Sequence, residues 1–379
     1  MWPNRAGLSS PHSPGILENA FMASVNSLDG EGEQPARGGG MGGGSAMSGG
    51  IPVNVGIVGC GLIGQKRAKA LAGARLVSCT DADPKRAAQL SGQNPGCEAA
   101  TTWTDLVRRP DLQVVIVATP QDSLAEITTA ALQNGKHVLV EEPAARTAAE
   151  LEPVIAAERA SGCRVRVGFN HRYHRAFRKA FEIARAGSLG PLMFIRGRYG
   201  HGGRVGYDRE WRARRERSGG GELIDQGVHL VDLARCFLGE FPHVQGYAPT
   251  YFWDMEVEDN GFLMLRTAAR QVAFLHASCT EWKNLFSFEI YGKVGKLEIS
   301  GLGGSYGVER LAWYRMLPEM GPPETSIWEY PMGDDSWECE MAEFLEDIRT
   351  DRPPSAGLAD AAAALRVIEA AYRATREAG

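Results

Sequence analysis

The stretch from Ser218 to Leu233, SGGGELIDQGVHLVDL, places an imidazole and two carboxylates at helical spacing. Asp225 and His229 are four residues apart and Asp232 follows three residues later, so one helix would carry all three on one face. A carboxylate one turn from an imidazole can orient it and tune its pKa for general acid–base catalysis. A solvated ion pair is the commoner origin of this spacing. The three preceding glycines, which let backbone approach a ligand closely, favour a catalytic site.

A second stretch has the residues of a phosphate-binding turn. In VNVGIVGCGLIGQKRAKAL a short apolar strand leads into G-x-G-x-x-G and then into a helix. In this setting the glycines permit a tight turn, close approach to a pyrophosphate and packing of helix on strand. The helix N-terminus supplies the anion site. The sequence therefore predicts a dinucleotide site at Gly59, Gly61, Leu62, Ile63 and Gly64.

The nature of the dinucleotide is indicated by Asp81, which ends the next predicted strand, Leu76–Thr80. It lies about twenty residues beyond the central glycine, where a carboxylate accepts a hydrogen bond from an adenosine ribose 2′-OH. A carboxylate there disfavours a 2′-phosphate, so we expect NAD rather than NADP. Lys85 and Arg86 keep NADP open as the less favoured cofactor, although both also suit the solvated first turn of a helix.

Short apolar strands alternate with helices as far as residue 170. The predicted strands after Asp81 are Leu112–Ala118, His137–Val140 and Arg164–Val167, and the predicted helices are Ser123–Asn134 and Ala148–Ala160. This rhythm predicts an α/β domain with a doubly wound parallel sheet that binds ligands beyond the carboxyl ends of its strands. Thr119, Pro120, Glu141 and Glu142 lie at such ends.

After residue 170, strands follow one another without intervening helices, which predicts an α+β domain. Its predicted elements are a helix at Arg175–Ala186, the segment Leu192–Arg198, strands Gly261–Arg266, Val272–Ser278, Phe286–Tyr291 and Lys296–Ile299, and a packing helix at Leu358–Thr375. We therefore divide the chain into an NAD-binding domain at 51–170 and a substrate and oligomerisation domain at 171–379.

Residues 1–50 show no hydrophobic periodicity and end in ARGGGMGGGSAMSGG. Such a composition cannot bury enough apolar surface to offset its ordering entropy, so we expect a disordered tail. An overlong start, with Met41 or Met47 nearer the true beginning, is the alternative. The segment has no basic stretch followed by a continuous apolar run, so we expect no secretory signal.

Composition excludes several classes of protein. With 379 residues, 44% of them hydrophobic and 23% charged, the chain resembles an ordinary globular protein with two domains. A net charge of −5 argues against nucleic-acid partners or a polybasic membrane contact. Seven scattered cysteines without a C-x-x-C suit reduced thiols in a cytoplasm, with neither a disulfide framework nor a metal site. No uninterrupted apolar run approaches the length of a membrane span.

Seven motifs resemble, in order, those of the Gfo/Idh/MocA family (glucose–fructose oxidoreductase, inositol dehydrogenase and rhizopine catabolism). They are VGIVGCGLIG, VATP, ALQNGKHVLVEEP, VGFNHRY, EWR, GGGELIDQGVHLVDL and VED, and they cover the chain from Val53 onward. The resemblance implies a Rossmann domain followed by an α+β domain with an open-faced, mainly antiparallel sheet that often mediates homodimers or homotetramers. It implies an oxidoreductase that uses NAD(H) or NADP(H) at a hydroxyl carbon of a sugar, cyclitol or related polyol.

The resemblance also implies roles for individual residues. His229 resembles the proton-transfer residue of the family, and Asp225 resembles its companion carboxylate. Contact with the cofactor is implied for Trp211 and Arg212, and proximity to the substrate for Arg172 and Tyr173.

Two positions depart from the family pattern. The family usually reads E-K-P at the last Rossmann strand, and its lysine assists proton transfer, whereas this chain has Glu142 at that position. Repulsion between Glu142 and Asp225 would raise one pKa of the pair, which makes Glu142 a candidate for a shared-proton catalytic group. A catalytically silent Glu142 is the open alternative. Leu124 stands where many members place a histidine.

Three functions of different class remain open at this stage. The first is an NAD-dependent sugar, nucleotide-sugar or cyclitol dehydrogenase. The second is a redox-neutral epimerase or lyase that recycles tightly bound NAD through a transient ketone. The third is an inactive NAD-binding regulator, which the presence of both Asp225 and His229 disfavours. Six arginines between Arg204 and Arg217 either form a solvated face or grip the phosphate of a nucleotide-sugar.

Overall fold

The computed structural model describes residues 52–378, so the tail predicted at residues 1–50 lies outside the described part. The first half of that part folds into a parallel six-stranded sheet. Its strands are β1 (Asn54–Val58), β2 (Arg75–Thr80), β3 (Glu98–Ala99), β4 (Val114–Val117), β5 (His137–Val140) and β6 (Val165–Val167). They run in the order β3-β2-β1-β4-β5-β6. The order reverses between β1 and β4, which opens a crevice for a ligand at the carboxyl ends of these strands.

Helices connect these strands, as the alternating pattern predicts. They are α1 (Leu62–Lys69), α2 (Pro84–Gln93), α3 (Trp103–Arg108), α4 (Gln121–Gln133) and α5 (Leu151–Ser161). Two of them begin with a side-chain cap: Asp83 accepts a hydrogen bond from the backbone N–H of Lys85, and Thr102 accepts one from Asp105. Within residues 52–378, no helix is both long enough and apolar enough to span a membrane.

The later part of the chain forms an eight-stranded sheet in which only the β7–β10 pair is parallel. Its strands are β7 (Leu192–Gly200), β8 (His243–Tyr247), β9 (Asn260–Arg266), β10 (Val272–Ser278), β11 (Leu285–Gly292), β12 (Gly295–Ser300), β13 (Glu309–Arg315) and β14 (Glu324–Tyr330). The predicted fold class is confirmed. Strands β8, β13 and β14 were not predicted. The two outer ones, β8 and β14, are half exposed and carry few of the apolar residues that mark a strand.

One face of this second sheet is covered by helices and the other is open. The remaining helices of this part are α6 (Arg175–Arg185), α7 (Arg215–Ser218), α8 (Glu222–Asp225), α9 (Gly227–Leu238), α10 (Ser336–Arg349) and α11 (Leu358–Ala378). Helix α9 packs on β7 and β10, α6 packs on β13, and α11 packs on β8. On the other face, Met264 and Phe274 remain 47% and 50% exposed, so the sheet is open-faced as predicted.

Helix α10 returns from the second sheet to cover the first. Its Met341 and Phe344 are fully buried in a cluster that includes Val55 and Ile57 of β1. No sequence feature predicted this helix. It supplies the apolar surface that closes one face of the nucleotide-binding sheet.

Buried ion pairs fix α10 in this position. Arg67 of α1 lies 2.5 Å from Glu141 at the end of β5 and 2.5 Å from Glu340 of α10. Arg166 of β6 binds Glu343 of α10 in the same way, at 3.1 Å. A buried charge needs a partner, so these pairs specify how α10 docks.

We expect Arg67→Met to lower the free energy of unfolding by about 3–5 kcal/mol, because Glu141 and Glu340 would be left buried without a cation. Urea denaturation measures the change. The matched control is Arg349→Met, which removes an arginine whose side chain is 71% exposed beside Glu346 and should cost at most about 1 kcal/mol. Equal losses in the two variants would show that the buried pairs contribute nothing specific.

Candidate active site

A cavity of about 1790 Å³ opens at the carboxyl ends of β1, β4 and β5 and is closed on its other side by residues of the second half of the chain. Most of the predicted site residues line it. They are Gly59, Gly61, Leu62, Ile63, Asp81, Thr119, Pro120, Glu141, Glu142, Trp211, Arg212, Asp225 and His229. Gly64, Arg172 and Tyr173 do not.

The three glycines of the turn have two structural roles. Gly59 has φ +96°, and a Cβ there would lie 2.3 Å from the carbonyl oxygen of Ala118. A Cβ on Gly64 would lie 1.9 Å from the carbonyl oxygen of Gly59. Both glycines therefore serve packing of the turn. A Cβ on Gly61 would meet nothing nearer than Arg86, at 4.0 Å, so this glycine keeps open the space before the N-terminus of α1.

The residues around this turn fit a dinucleotide. Helix α1 begins at Leu62, whose side chain is 73% exposed in the cavity wall and available for a ligand to cover. Asp81 accepts hydrogen bonds from the backbone N–H groups of Cys60 at 2.6 Å and Asp83 at 2.8 Å. These contacts hold its carboxylate at the cavity wall, and each oxygen retains a lone pair for a ribose hydroxyl.

Glu142 and His229 form the central ion pair of the cavity, with Glu142 Oε1 3.0 Å from His229 Nε2. Glu142 follows β5 and His229 lies in the first turn of α9. Burial lowers the pKa of His229, but the charge and hydrogen bond of Glu142 outweigh that effect and raise the pKa above its ordinary value. The pair therefore holds a proton more tightly than an isolated histidine does.

Glu142, rather than the predicted Asp225, is the carboxylate that contacts His229, although the charge of Asp225 also raises the pKa of His229. Helix α8 ends at Asp225 and α9 begins at Gly227, so a break separates the two residues. The carboxylate of Asp225 instead accepts a hydrogen bond from Arg212 Nε at 3.2 Å. Glu142 thus provides the carboxylate that accompanies the histidine.

Arg172 and Tyr173 do not reach the cavity, which corrects the expectation that they contact substrate. Arg172 is 6% exposed and its Nε donates to Asp232 at 2.7 Å, so the third residue of the predicted face also has a structural partner. Tyr173 is 4% exposed and contacts Arg166. Both side chains point into the core, because the carboxylate that binds Arg172 and the guanidinium that binds Tyr173 lie there.

The three glycines before α8 also serve packing rather than a ligand. A Cβ on Gly220 would lie 2.0 Å from the hydroxyl oxygen of Tyr372, and one on Gly221 would lie 1.9 Å from the carbonyl oxygen of Glu258. The chain here passes directly against α11 and the segment that leads into β9. The interpretation that these glycines bring backbone to a ligand is therefore wrong.

His171 is the most important cavity residue that the sequence reasoning did not single out. Its ring lies 3.8 Å from that of His229, with 30° between the planes. Burial, together with the nearby charge of His229, holds the pKa of His171 well below its ordinary value, so it is neutral. Its position in the motif VGFNHRY was the available signal. Tyr199 and Tyr306 complete this wall, with ring centroids 5.4 Å apart, and Tyr306 stands outside every recognised motif.

The arginines between 204 and 217 are engaged with acidic partners or backbone. Arg204 pairs with Glu210, Arg212 with Asp225, Arg214 with Glu256 and Arg217 with Asp122, while Arg209 lies near Asp208 and Arg215 donates to a backbone carbonyl. Three of them line the cavity, namely Arg204, Arg212 and Arg217. Since each already has a partner, the geometry gives no support for a dedicated phosphate grip.

The glycine turn, Asp81 and the adjoining acid–base pair define an NAD-dependent oxidoreductase. Two family models match: one described as oxidoreductase family, NAD-binding Rossmann fold, over residues 53–169, and one described as GFO/IDH/MocA C-terminal domain, over residues 177–298. The chain belongs to the Gfo/Idh/MocA family. The predicted family, fold class, NAD cofactor and enzyme class are confirmed. In the described chain, 52–378, His, Cys, Asp and Glu side chains form no group of three or more that could hold a metal ion.

Characterised relatives of the chain include enzymes of sugar derivatives. A levoglucosan dehydrogenase of Pseudarthrobacter phenanthrenivorans is 27% identical over 283 residues, which cover 65% of this chain and 73% of the relative. A 1,5-anhydro-D-fructose reductase of Ensifer adhaerens is 30% identical over 233 residues, covering 59% and 68%. A solved levoglucosan dehydrogenase in complex with NADH shares the fold, with a TM-score of 0.78 and 24% identity over 86% of this chain and 98% of that one.

We expect Gly61→Ala to weaken NAD⁺ binding at least tenfold while leaving the melting temperature unchanged, because the added methyl enters the open space before α1 without touching the protein. Calorimetric titration with NAD⁺ measures this affinity. Gly92→Ala, in the exposed part of α2, also adds a methyl that meets nothing within 4 Å and should bind NAD⁺ normally. Unaltered affinity in Gly61→Ala would place the pyrophosphate elsewhere.

We expect Glu142→Gln to lower the pKa of His229, since burial is then opposed only by the charges of Asp232 and Asp225. A histidine whose pKa is raised by folding stabilises the native state below its unfolded pKa and loses that contribution as pH rises through the raised value. The variant lacks this contribution, so it should be less stable than the unmodified protein at pH values below the unfolded pKa of histidine. NMR titration of the imidazole protons gives the pKa, with the resonance of exposed His243 as internal reference. An unshifted His229 titration would refute the coupling.

Proposed function

We propose that the protein oxidises or reduces a hydroxyl carbon of a sugar or cyclitol with NAD, and that Glu142 and His229 transfer the proton. The observation that carries the proposal is the Glu142–His229 ion pair, 3.0 Å long, in a cavity that also contains the glycine turn. NAD⁺, when bound, accepts the hydride from the alcohol carbon. The remaining task is proton transfer, for which a carboxylate–imidazole pair is suited.

Residues that would hold NAD lie at one end of the cavity. The glycine turn would face the pyrophosphate, and Asp81 would face the adenosine ribose. Thr119 and Pro120, which follow β4, would also contact the cofactor. Trp211 and Arg212 are proposed to contact the cofactor from the second half of the chain, where the guanidinium lies 4.5 Å above the indole ring. Glu141 lines the same cavity, but its carboxylate is bound to Arg67, so we propose that it shapes the floor of the site. Asp81 is proposed to favour NAD over NADP.

Glu142 is the outer member of the catalytic pair. Its side chain is 21% exposed, against 6% for His229, and it occupies His229 Nε2. The other ring nitrogen, Nδ1, is buried and has no hydrogen-bond partner among the residues described. A proton released by a substrate hydroxyl therefore reaches the pair at Glu142, and His229 stabilises the charge of that carboxylate.

A protonated His229 also supplies the positive charge that the family places at position 142. The lysine of E-K-P is absent, and the imidazolium of His229 lies at hydrogen-bonding distance from the residue that replaced it. Asp225 is balanced separately by Arg212. The names of the relatives, a levoglucosan dehydrogenase and an anhydrofructose reductase, support a sugar ring as the reacting group.

A redox-neutral reaction with recycled NAD is the second candidate function. It is favoured by the same replacement of lysine with Glu142, because a carboxylate–imidazole pair can both accept a proton and return it. The assay that separates the candidates incubates purified protein and NAD⁺ with a panel of sugars, sugar acids and cyclitols. Net NADH formation supports the dehydrogenase, product with retained NAD and no net NADH supports the second candidate, and binding without turnover contradicts both.

Assembly and location complete the proposal. We propose that the exposed apolar side chains on the open face of the second sheet, among them Met264 and Phe274, pack against another copy to form a homodimer or homotetramer. All seven cysteines are unpaired, which supports a reducing cytoplasmic location. The proposed binding partner is a small-molecule sugar or polyol, and we propose that the protein binds neither nucleic acid nor membranes.

We expect Glu142→Gln to lower kcat by about 10²–10⁴-fold, because glutamine keeps the shape of the side chain but cannot accept a proton. His229→Ala should be at least as damaging. Glu142→Lys would restore the family motif with only partial activity, since the cation would face His229 rather than a neutral site. Steady-state rates of NADH formation across pH measure these effects, and Glu152→Gln on exposed α5 is the control. An unchanged rate and pH profile in Glu142→Gln would make Glu142 a bystander.

A further inference from the structure

The cavity extends past the catalytic pair. Its volume of about 1790 Å³ is shared between the proposed NAD site and the substrate. The glycine turn and Asp81 mark the cofactor end. From His229 the wall continues through His171, whose ring lies 3.8 Å away, to His174, whose ring lies 5.5 Å from that of His171.

Beyond His171 the wall is formed by α1 and the N-terminal end of α10. We name this region the Lys66–Trp337 subsite, and it consists of Lys66, Asn170, His174, Asp334, Trp337 and Glu338. None of these residues is among those proposed above to hold NAD or to form the catalytic pair. The region is therefore available to the portion of a substrate that does not react.

The subsite combines an aromatic ring with one lysine and two carboxylates. Lys66 Nζ lies 5.2 Å from the Trp337 ring and has no carboxylate partner in the part of the chain that the structure describes. Asp334 and Glu338 supply acceptors against the donors of Lys66. Because the region contains both a cation and carboxylates, it suits hydroxyl groups, which donate and accept, better than a phosphate or carboxylate, which only accepts. An aromatic face beside such groups suits the apolar C–H face of a sugar ring.

The subsite residues are also held in place. The indole N–H of Trp337 donates to Asp334 Oδ2 at 3.1 Å, and Asp334 Oδ1 accepts from the backbone N–H of Ser336 at 2.9 Å. Asn170 donates to the hydroxyl of Ser336 at 2.9 Å. The Arg67 guanidinium lies 4.4 Å from the centre of the Trp337 ring and supports it from α1. A fixed set of donors and acceptors binds a ligand with little loss of side-chain freedom.

We propose that the Lys66–Trp337 subsite binds a second, uncharged sugar ring, so that the substrate is a disaccharide or other glycoside rather than a single sugar. The inference rests on the proposed function, since it places the oxidised ring at Glu142 and the second ring beyond His171. The substrate then spans the cavity from the catalytic pair to α10.

Calorimetric titration of the NAD⁺-loaded and NAD⁺-free protein tests this proposal with matched probes. They are glucose with cellobiose, maltose and glucose 6-phosphate, galactose with lactose and melibiose, and mannose with mannobiose. We expect at least one disaccharide to bind at least tenfold more tightly than its monosaccharide. Lys66→Ala and Trp337→Leu should reduce that ratio to threefold or less. Lys293→Ala and Trp282→Leu, which change exposed residues outside the cavity, should preserve it.

Equal affinity for one-ring and two-ring probes in every set would overturn the proposal, as would tighter binding of glucose 6-phosphate than of any disaccharide. A ratio preserved in Lys66→Ala would overturn it as well, and this variant tests the idea even if Trp337→Leu folds poorly, since the Lys66 side chain is exposed. The failure of the proposed function looks different: no sugar of any size would then support NADH formation. Oxidation of monosaccharides without a preference for disaccharides would reject the subsite alone.

Discussion

The ion pair between Glu142 and His229 joins the two halves of the molecule at the point where chemistry is expected. Glu142 stands at the end of β5 in the parallel sheet, and His229 stands in the first turn of α9, which packs on the second sheet. His229 is buried, and the charge and hydrogen bond of Glu142 raise its pKa against the effect of that burial. The relative position of the two sheets therefore decides the protonation of the site. Two further contacts lie around it. Arg212 pairs with Asp225, and the ring of His171 lies against that of His229.

Much of the architecture was predictable because local patterns coincide with tertiary environment. The strand, glycine turn and helix at residues 54–69 are contiguous in sequence, so their pattern can be read from one short stretch. The alternation of buried strands and helices to residue 167 likewise leaves few arrangements other than a parallel sheet. Most predicted cavity residues lie at strand ends for the same reason. The departure at Glu142 was visible in the sequence, although its partner was not.

The remaining errors arose where long-range contacts override spacing. Asp225 and His229 have helical spacing, yet the carboxylate of Asp225 accepts its hydrogen bond from Arg212, and Glu142 contacts the histidine. Arg172 stands in a motif expected near substrate, but a buried carboxylate on α9 holds it in the core. The glycines before α8 meet α11 and Glu258, which lie far away in the chain. The spacing of residues does not reveal partners that are distant in the chain. For the same reason it does not reveal that α10 covers the first sheet.

The return of α10 to the first sheet has a consequence for how the protein is made. Arg67 and Glu340 are separated by 273 positions, so the nucleotide-binding sheet lacks one covering layer until nearly the whole chain has left the ribosome. Contacts of such sequence separation slow folding, because a long loop must close before they form. During synthesis the apolar surface around β1 stays uncovered, which is the situation in which chaperones bind nascent chains. The matched segments at 53–169 and 177–298 both end before α10, although the first sheet needs this helix to cover one of its faces.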